Sequence, residues 1–111
     1  MKFISVPLSV EAMSRLDTNE SVPGDLQELT LNESDFYDLH NAGFFAAINA
    51  ATGSNIDEFE DDAIVDFEQI QNGLRVVAEF RGREKSKPIY KEIEDLFKKA
   101  ISINSGVYFF F

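Results

Sequence analysis

The sequence predicts an α+β fold in which two helices pack on one face of a mostly antiparallel sheet of four or five strands. Segments 33–51 and 87–102 carry apolar residues at three-and-four spacing, which is typical of amphipathic helices. Both ends of the chain are rich in β-branched and aromatic residues, and Asn72-Gly73 is a pair that favours hairpin turns. With 111 residues, 44% of them hydrophobic and eleven of them Phe, residues 1–111 are expected to form a single domain with one core.

The N-terminal third is predicted to contain a strand, a short helix and a second, short strand. Residues 2–8 are β-branched and aromatic, and residues 10–16 fit a short helix. Residues 17–25 are rich in turn formers and are expected to be a loop. Residues 28–31 are predicted to add a strand, which would make the sheet five-stranded.

The first long helix is predicted over residues 33–51. Asn32 is a natural N-cap, Gly43 is expected to permit close packing against the sheet, and Gly53 is expected to end the helix. The predicted apolar stripe consists of Phe36, Leu39, Gly43, Phe44, Ala47, Ile48 and Ala51.

Residues 63–70 and 74–81 are predicted to form a β-hairpin around Asn72-Gly73. In that register Asp66 would lie opposite Glu79. Like charges facing each other across strands are mildly unfavourable, and a cationic partner would relieve them.

The C-terminal part is predicted to form a helix over residues 87–102 and a strand over residues 106–111. Ser86 is the expected N-cap, with Pro88 in the first turn. The order strand, helix, strand, strand, helix, strand is that of the ferredoxin-like βαββαβ sandwich or a variant of it. One sheet face would then remain open. Tyr108 and Phe110 alternate with Val107, Phe109 and Phe111, and one of these two sets is expected to reach that face.

Charge is distributed unevenly along the chain, whose net charge is −10. No Lys or Arg occurs between Arg15 and Arg75, whereas the basic residues predominate after Asn72. An acidic field of this kind repels nucleic acid and acidic membranes and attracts basic surfaces. The acids between the two arginines are Asp17, Glu20, Asp25, Glu28, Glu33, Asp35, Asp38, Asp57, Glu58, Glu60, Asp61, Asp62, Asp66 and Glu68.

Residues suited to catalysis or metal binding are scarce. The chain has no cysteine and one histidine, His40, which is expected to be a packed or capping side chain. No nucleophile-elbow, P-loop or dinucleotide motif occurs, and a calcium loop starting at Asp57 lacks required ligands. We therefore expect no enzyme activity, cofactor or metal. The sequence shows no signal peptide or membrane span, which favours a cytoplasmic location.

The segment 55–62 is the strongest candidate for a binding site. It places five acids around Phe59, and an exposed aromatic among carboxylates suits a basic cleft. The alternative is that Ile56 and Phe59 both enter the core and the acids merely solvate the loop. The predicted partner-binding residues are Asp57, Glu58, Phe59, Glu60, Asp61, Asp62, Asp66 and Glu68.

A compact, acidic, cysteine-free chain without catalytic groups resembles the small immunity proteins of bacterial contact-dependent growth inhibition. The stretches that carry the resemblance are Leu31-Asn32-Glu33-Ser34-Asp35-Phe36 and Asn41-Ala42-Gly43-Phe44-Phe45, together with size and charge. The resemblance covers the chain in outline. It implies neutralisation of a cognate toxin, commonly a basic RNase or DNase whose active-site cleft the acids would block by mimicking phosphates.

Three other functions stay open at this point. One is a nucleic-acid mimic that inhibits a DNA-binding enzyme through acids spaced like phosphates. Another is a ferredoxin-like regulatory or ligand-binding subunit that self-associates through exposed aromatics of the sheet, so the chain is expected to be a monomer or a weak homodimer. The least favoured is an enzyme built on His40 with Asp35 or Asp38.

Overall fold

The computed structural model describes all of residues 1–111, and it confirms the α+β class with a four-stranded antiparallel sheet. It is consistent with a variant of the ferredoxin-like arrangement, although helix count and strand order differ. None of the helices is long and apolar enough to cross a membrane. The strands are β1 (Lys2–Pro7), β2 (Leu26–Leu31), β3 (Asp61–Ile64) and β4 (Val107–Phe110). The helices are α1 (Val10–Asp17), α2 (Glu33–Asn41), α3 (Phe44–Thr52), α4 (Phe67–Arg83) and α5 (Ile89–Ser102).

The sheet has the strand order β2-β1-β4-β3, and every neighbouring pair is antiparallel. The two chain ends therefore pair at its centre, with Ile4 opposite Phe109. Both of these side chains are fully buried, as expected for central strands. The strands predicted at the two termini and near residues 28–31 are confirmed.

Helices lie on both faces of the sheet. Phe109 points to the face covered by α5, where its ring centroid lies 6.4 Å from that of Phe97. Tyr108, the neighbour that points the other way, donates its hydroxyl to Asp17 of α1 at 3.2 Å. Burial and the nearby Asp17 carboxylate raise the pKa of Tyr108 to about 12. Phe110 shares this second face and is half-buried, so Tyr108 and Phe110 do lie on the face away from the main core.

Aromatic rings hold the helices of the main core together. Phe44 of α3 meets Phe80 of α4 at 5.3 Å and Tyr90 of α5 at 5.5 Å, both in edge-to-face geometry. Phe36 of α2 meets Phe45 of α3 at 5.2 Å. Such pairs contribute about 0.5–1.5 kcal/mol beyond the burial of their area. The buried rings of these helices thus join α2, α3, α4 and α5 to one another, and Phe36 and Phe97 join them to the C-terminal aromatics Phe111 and Phe109.

The hairpin predicted over residues 63–81 is wrong. Only residues up to Ile64 are extended, and α4 runs without interruption through Asn72-Gly73. The buried side of α4 contains Ile70, Gly73, Val77 and Phe80, which is helical spacing. A Cβ at Gly73 would lie 2.7 Å from the Phe97 ring, so this glycine permits close helix packing instead of a turn.

Asp66 is the N-cap of α4 and accepts the N–H of Gln69 at 3.1 Å. It therefore does not face Glu79 across two strands, and the predicted like-charge pair does not exist. Short apolar runs fit both the two-residue period of a strand and the 3.6-residue period of a helix. Packing against α5 decides in favour of the helix here.

The single helix predicted over residues 33–51 is two helices, α2 and α3, separated at Gly43. This residue has φ +80°, a left-handed conformation that glycine adopts without cost, and a Cβ there would meet nothing within 4 Å. Gly43 is thus needed for the turn. The prediction that it permits close packing against the sheet is wrong. The predicted N-cap Asn32 and the helix end at Gly53 are confirmed. The last helix begins at Ile89, two residues later than predicted, with Pro88 and not Ser86 at its cap.

Candidate functional site

The loop between α3 and β3 is anchored at both ends. Asn49 of α3 donates to the carbonyl of Ile56 at 2.9 Å and accepts its N–H at 2.8 Å. The Ile56 side chain is buried in the main core. At the other end, Asp62 accepts the N–H of Asn55 at 2.7 Å. These contacts give the loop one conformation although it carries five acids.

Phe59 projects from this loop into solvent. It is 84% exposed and has φ +66°, a region that bulky side chains rarely occupy. Its N–H donates to the carbonyl of Phe111 at 3.0 Å, and the N–H of Glu60 donates to the carbonyl of Asp57 at 3.3 Å. The alternative in which both apolar side chains enter the core therefore holds for Ile56 and fails for Phe59.

Lys2 links the N-terminus to the base of this loop. Its Nζ lies 5.2 Å from the centroid of the Phe59 ring, 4.9 Å from that of Phe36 and 3.2 Å from Oε2 of Glu58. The hydroxyl of Tyr37 donates to the same Glu58 oxygen at 2.8 Å. The hydrogen bond from Tyr37, followed by the contact with Lys2, lowers the pKa of Glu58. The same hydrogen bond raises the pKa of Tyr37.

Sequence reasoning missed Lys2, Tyr37 and Asn49 as parts of this site. Lys2 and Tyr37 are distant from the loop in sequence, and only the fold brings them to it, whereas Asn49 lies in the helix that directly precedes the loop. One signal was available, because Lys2 is the only cation besides Arg15 in the first 74 residues. The carboxylate of Glu58, one of the predicted partner-binding residues, forms an ion pair with Lys2 and accepts a hydrogen bond from Tyr37.

Three exposed carboxylates that neighbour Phe59 along the chain form no ion pair. They belong to Asp57, Glu60 and Asp61, and we call these three residues together with Phe59 the acidic surface. Asp57 and Glu60 also line an open cavity of about 440 Å³ with Asn49 and Asn55. The acidic surface therefore offers unpaired carboxylates to cationic groups in the same segment as one exposed aromatic side chain.

The remaining predicted site residues lie away from Phe59 or are used by the fold. Asp62 accepts two backbone N–H groups, and Asp66 caps α4. Asp66 and Glu68 lie beyond the far end of β3, beside the exposed side chains of Val65 and Phe67. The structure thus keeps Asp57, Phe59, Glu60 and Asp61 in the acidic surface. It uses Glu58 and Asp62 in contacts within the fold, and it separates Asp66 and Glu68 from the loop.

The single histidine and the carboxylates form no metal-binding cluster. His40 is exposed on α2 and stacks on Phe36 at 6.2 Å. No group of three or more Asp, Glu or His side chains is arranged to hold a metal ion. Of the basic residues after α4 begins, Arg81 pairs with the buried Glu94 at 3.1 Å and Arg83 lies 4.3 Å from the ring centroid of Phe80. These arginines therefore have structural contacts at the end of α4.

No family model, curated protein or solved structure matches this chain. The geometry of the acidic surface is therefore the basis on which a function is proposed.

Proposed function

We propose that this chain is an immunity protein that binds a basic toxin, a nuclease, through the acidic surface and thereby neutralises it. It would act in the cytoplasm of the cell that makes it and would itself perform no catalysis. The observation that carries the proposal is Phe59, an 84% exposed aromatic at φ +66° in a segment whose carboxylates at Asp57, Glu60 and Asp61 form no ion pair.

An exposed aromatic in a left-handed conformation is unfavourable for the free protein. Backbone strain of this kind costs on the order of 1–3 kcal/mol and persists only where the surroundings impose it. Here the anchors at Asn49 and Asp62 impose it, and Ile56 alone would satisfy the core. Residues held in this way cluster at binding sites, and buried aromatics dominate the energy of many interfaces. Phe59 has the properties of such an anchor.

The carboxylates around Phe59 select a cationic partner. Asp57, Glu60 and Asp61 can each accept paired hydrogen bonds from arginine, as the phosphates of a nucleic acid do. A nuclease cleft that binds phosphates presents arginines and lysines for this purpose. The net charge of −10 would also accelerate encounter with such a protein, because long-range attraction raises association rates at low salt.

Lys2 shapes this surface without opposing a basic partner. Its charge is matched by Glu58 at 3.2 Å, and its ammonium group lies over the Phe59 ring. Because Phe59 is largely exposed, the rest of its ring is free to stack against an arginine or lysine of the partner. Lys2 would thus pre-orient the ring, which reduces the entropy lost on binding.

The proposal is tested by capture from a lysate of the natural host at low salt, followed by mass spectrometry and nuclease assays. We expect a basic protein whose cleavage of fluorogenic RNA or plasmid DNA is abolished by an equimolar amount of this chain. Capture of no basic protein, or of a nuclease that stays active in the complex, would contradict the proposal.

Two triple variants separate the acidic surface from net charge. The first carries Asp57→Asn, Glu60→Gln and Asp61→Asn, and the matched control carries Glu20→Gln, Glu79→Gln and Glu92→Gln at exposed positions elsewhere. The first variant is expected to lose at least tenfold in affinity for the captured nuclease. The control is expected to associate more slowly but to dissociate at the wild-type rate. Phe59→Asn should lose a similar amount while folding normally, because asparagine tolerates positive φ. Equal losses in both triple variants would show that net charge alone drives binding.

A further inference from the structure

The two edges of the sheet differ in how their backbone groups are used. The N–H of Leu8 donates to the carbonyl of Asp25 at 2.8 Å, which fixes the alternation of hydrogen bonds between β1 and β2. In this alternation Gln27, Leu29 and Leu31 bond to β1. The N–H and C=O groups of Leu26, Glu28 and Thr30 therefore point outward, where no strand pairs with them.

The opposite edge, β3, is protected. It has only four residues, two of which are aspartates, and the outward N–H of Ala63 is occupied by Asp62 Oδ1 at 2.8 Å. Short length, charge and occupied backbone groups are the devices that prevent a sheet edge from pairing with another strand. β2 has none of these devices, because its six residues contain one charge, no proline and no lysine, and its register with β1 is continuous. The β2 edge is thus available for strand pairing.

The sequence of β2 is complementary to itself in one antiparallel register. Residues that lie opposite each other in a sheet point to the same face. When β2 pairs with its own copy, the twofold axis must therefore pass through a residue, and the two central residues of β2 are Glu28 and Leu29. Centring on Glu28 places two like charges opposite each other, which is unfavourable. Centring on Leu29 places Glu28 opposite Thr30 of the second copy, and both of these residues direct their hydrogen-bonding groups outward. The two Leu29 side chains, each half-buried against its own core, then meet at the twofold axis.

We propose that a second copy of this chain pairs with the β2 edge, antiparallel and centred on Leu29, to form a continuous eight-stranded sheet. This proposal goes beyond the toxin-binding function and does not depend on it. In the strand order β2-β1-β4-β3, the strand that follows the acidic loop lies three strand spacings, about 14 Å, from β2. The dimer therefore leaves both acidic surfaces free at its two ends.

Charge gives this dimer a characteristic dependence on salt. Each copy carries a net charge of −10, so the two copies repel each other, and the Debye length falls from about 30 Å at 0.01 M salt to about 3 Å at 1 M. Dimerisation is therefore strengthened by salt, whereas binding of a basic nuclease is weakened by it. Because salt affects dimerisation and nuclease binding in opposite directions, the two interactions can be distinguished in one protein.

Sedimentation equilibrium of the full chain, from micromolar to millimolar concentration and in low and high NaCl, tests the proposal. The wild type is expected to shift from 12.5 kDa towards twice that mass, at lower concentration in high salt. Thr30→Pro removes only an outward N–H, so it is expected to remain a monomer, while Thr30→Ala dimerises like the wild type. A wild type that stays at 12.5 kDa throughout, or a folded Thr30→Pro that dimerises equally well, would overturn the proposal.

A second measurement covers the case in which Thr30→Pro does not fold. Amide hydrogen exchange of the wild type should slow at Glu28 and Thr30 as concentration rises, because these N–H groups become bonded in the dimer. Concentration-independent exchange at both amides would rule out pairing through this edge. The triple variant Asp57→Asn, Glu60→Gln, Asp61→Asn should still dimerise, so failure of the toxin-binding proposal would leave this one standing.

Discussion

At the scale of single residues, Phe59 and Ile56 show how two positions in one loop acquire opposite roles. Both are large and apolar, yet one is 3% and the other 84% exposed. Asn49 holds the backbone of Ile56 from both sides, which points its side chain into the core. The same anchoring leaves Phe59 in the left-handed region, facing solvent. An aromatic in this position is more readily explained by binding than by stability.

Asp25 is the residue whose ionisation is most closely tied to the fold. It accepts hydrogen bonds from Arg15 Nε at 2.7 Å, from Arg15 Nη2 at 2.6 Å and from the N–H of Val22 at 3.0 Å. The paired hydrogen bonds from Arg15, and then that from Val22, lower the pKa of Asp25 from 3.8 to about 2. A lowered folded pKa means that folding favours the ionised form.

We predict that Asp25→Asn destabilises the protein at pH 7 and that the difference from wild type shrinks as the pH falls. Stabilisation by the Asp25 carboxylate is fully present above its ordinary pKa near 3.8 and is lost as the pH falls towards 2. Urea unfolding of both proteins at pH 7, 4 and 2.5 measures this, with Asp95→Asn as a control at an exposed pair. A difference that is constant from pH 7 to 2.5 would show that lost packing, not ionisation, accounts for it.

At the scale of elements, α4 shows how a contact between helices overrides a local turn preference. Asn72-Gly73 favours a hairpin, and glycine inside a helix costs about 1 kcal/mol relative to alanine. Packing outweighs that cost, because Gly73 allows the Phe97 ring of α5 to approach the α4 backbone. A Cβ at this position would lie only 2.7 Å from the ring. The close approach of α4 and α5 thus depends on this one residue.

We predict that Gly73→Ala and Gly82→Ala change stability in opposite directions, although both replace a glycine in α4. Gly73→Ala gains about 1 kcal/mol of helix propensity but crowds the buried Phe97. Overpacking costs about 1–3 kcal/mol, so a net loss of up to about 2 kcal/mol is expected. A Cβ at Gly82 meets nothing within 4 Å, so Gly82→Ala should stabilise by about 0.5–1 kcal/mol. Chemical denaturation measures both. Stabilisation by Gly73→Ala would contradict the close packing of α4 on α5.

At the scale of the whole molecule, the separation of charge along the chain has a cost for the folded state. The net charge is −10, and the carboxylates of the acidic surface form no ion pair. Mutual repulsion destabilises a compact molecule of this charge. Three of the five ion pairs involve the buried carboxylates of Asp25 and Glu94, and the exposed Lys91–Asp95 pair contributes only about 0–1 kcal/mol.

We predict that the melting temperature rises with NaCl between 0.01 M and 0.5 M, because screening relieves this repulsion. The triple variant Asp57→Asn, Glu60→Gln, Asp61→Asn should melt higher than wild type at low salt and respond less to NaCl. Circular dichroism melts at low protein concentration, where the dimer is dissociated, measure the effect. A melting temperature that falls with salt would mean that attractive ion pairs outweigh the repulsion.

The sequence by itself determined what depends on neighbouring residues. The terminal strands, α1, the Asn32 cap, the helix end at Gly53 and the α+β class all follow from local pattern and were predicted correctly. The charge asymmetry and the location of the acidic loop are also readable directly, because they need no knowledge of contacts. These properties set which surfaces can attract a basic partner.

Only the tertiary structure decided what depends on distant contacts. Packing against Phe97 made residues 67–83 a helix, and the left-handed turn at Gly43 divided α2 from α3. The fold also brought Lys2 and Tyr37 to Glu58, which separated a structural carboxylate from the free ones around Phe59. Local preferences differ by about 1 kcal/mol or less per residue, and burial of one large side chain contributes more than that, so long-range packing prevails wherever the two disagree.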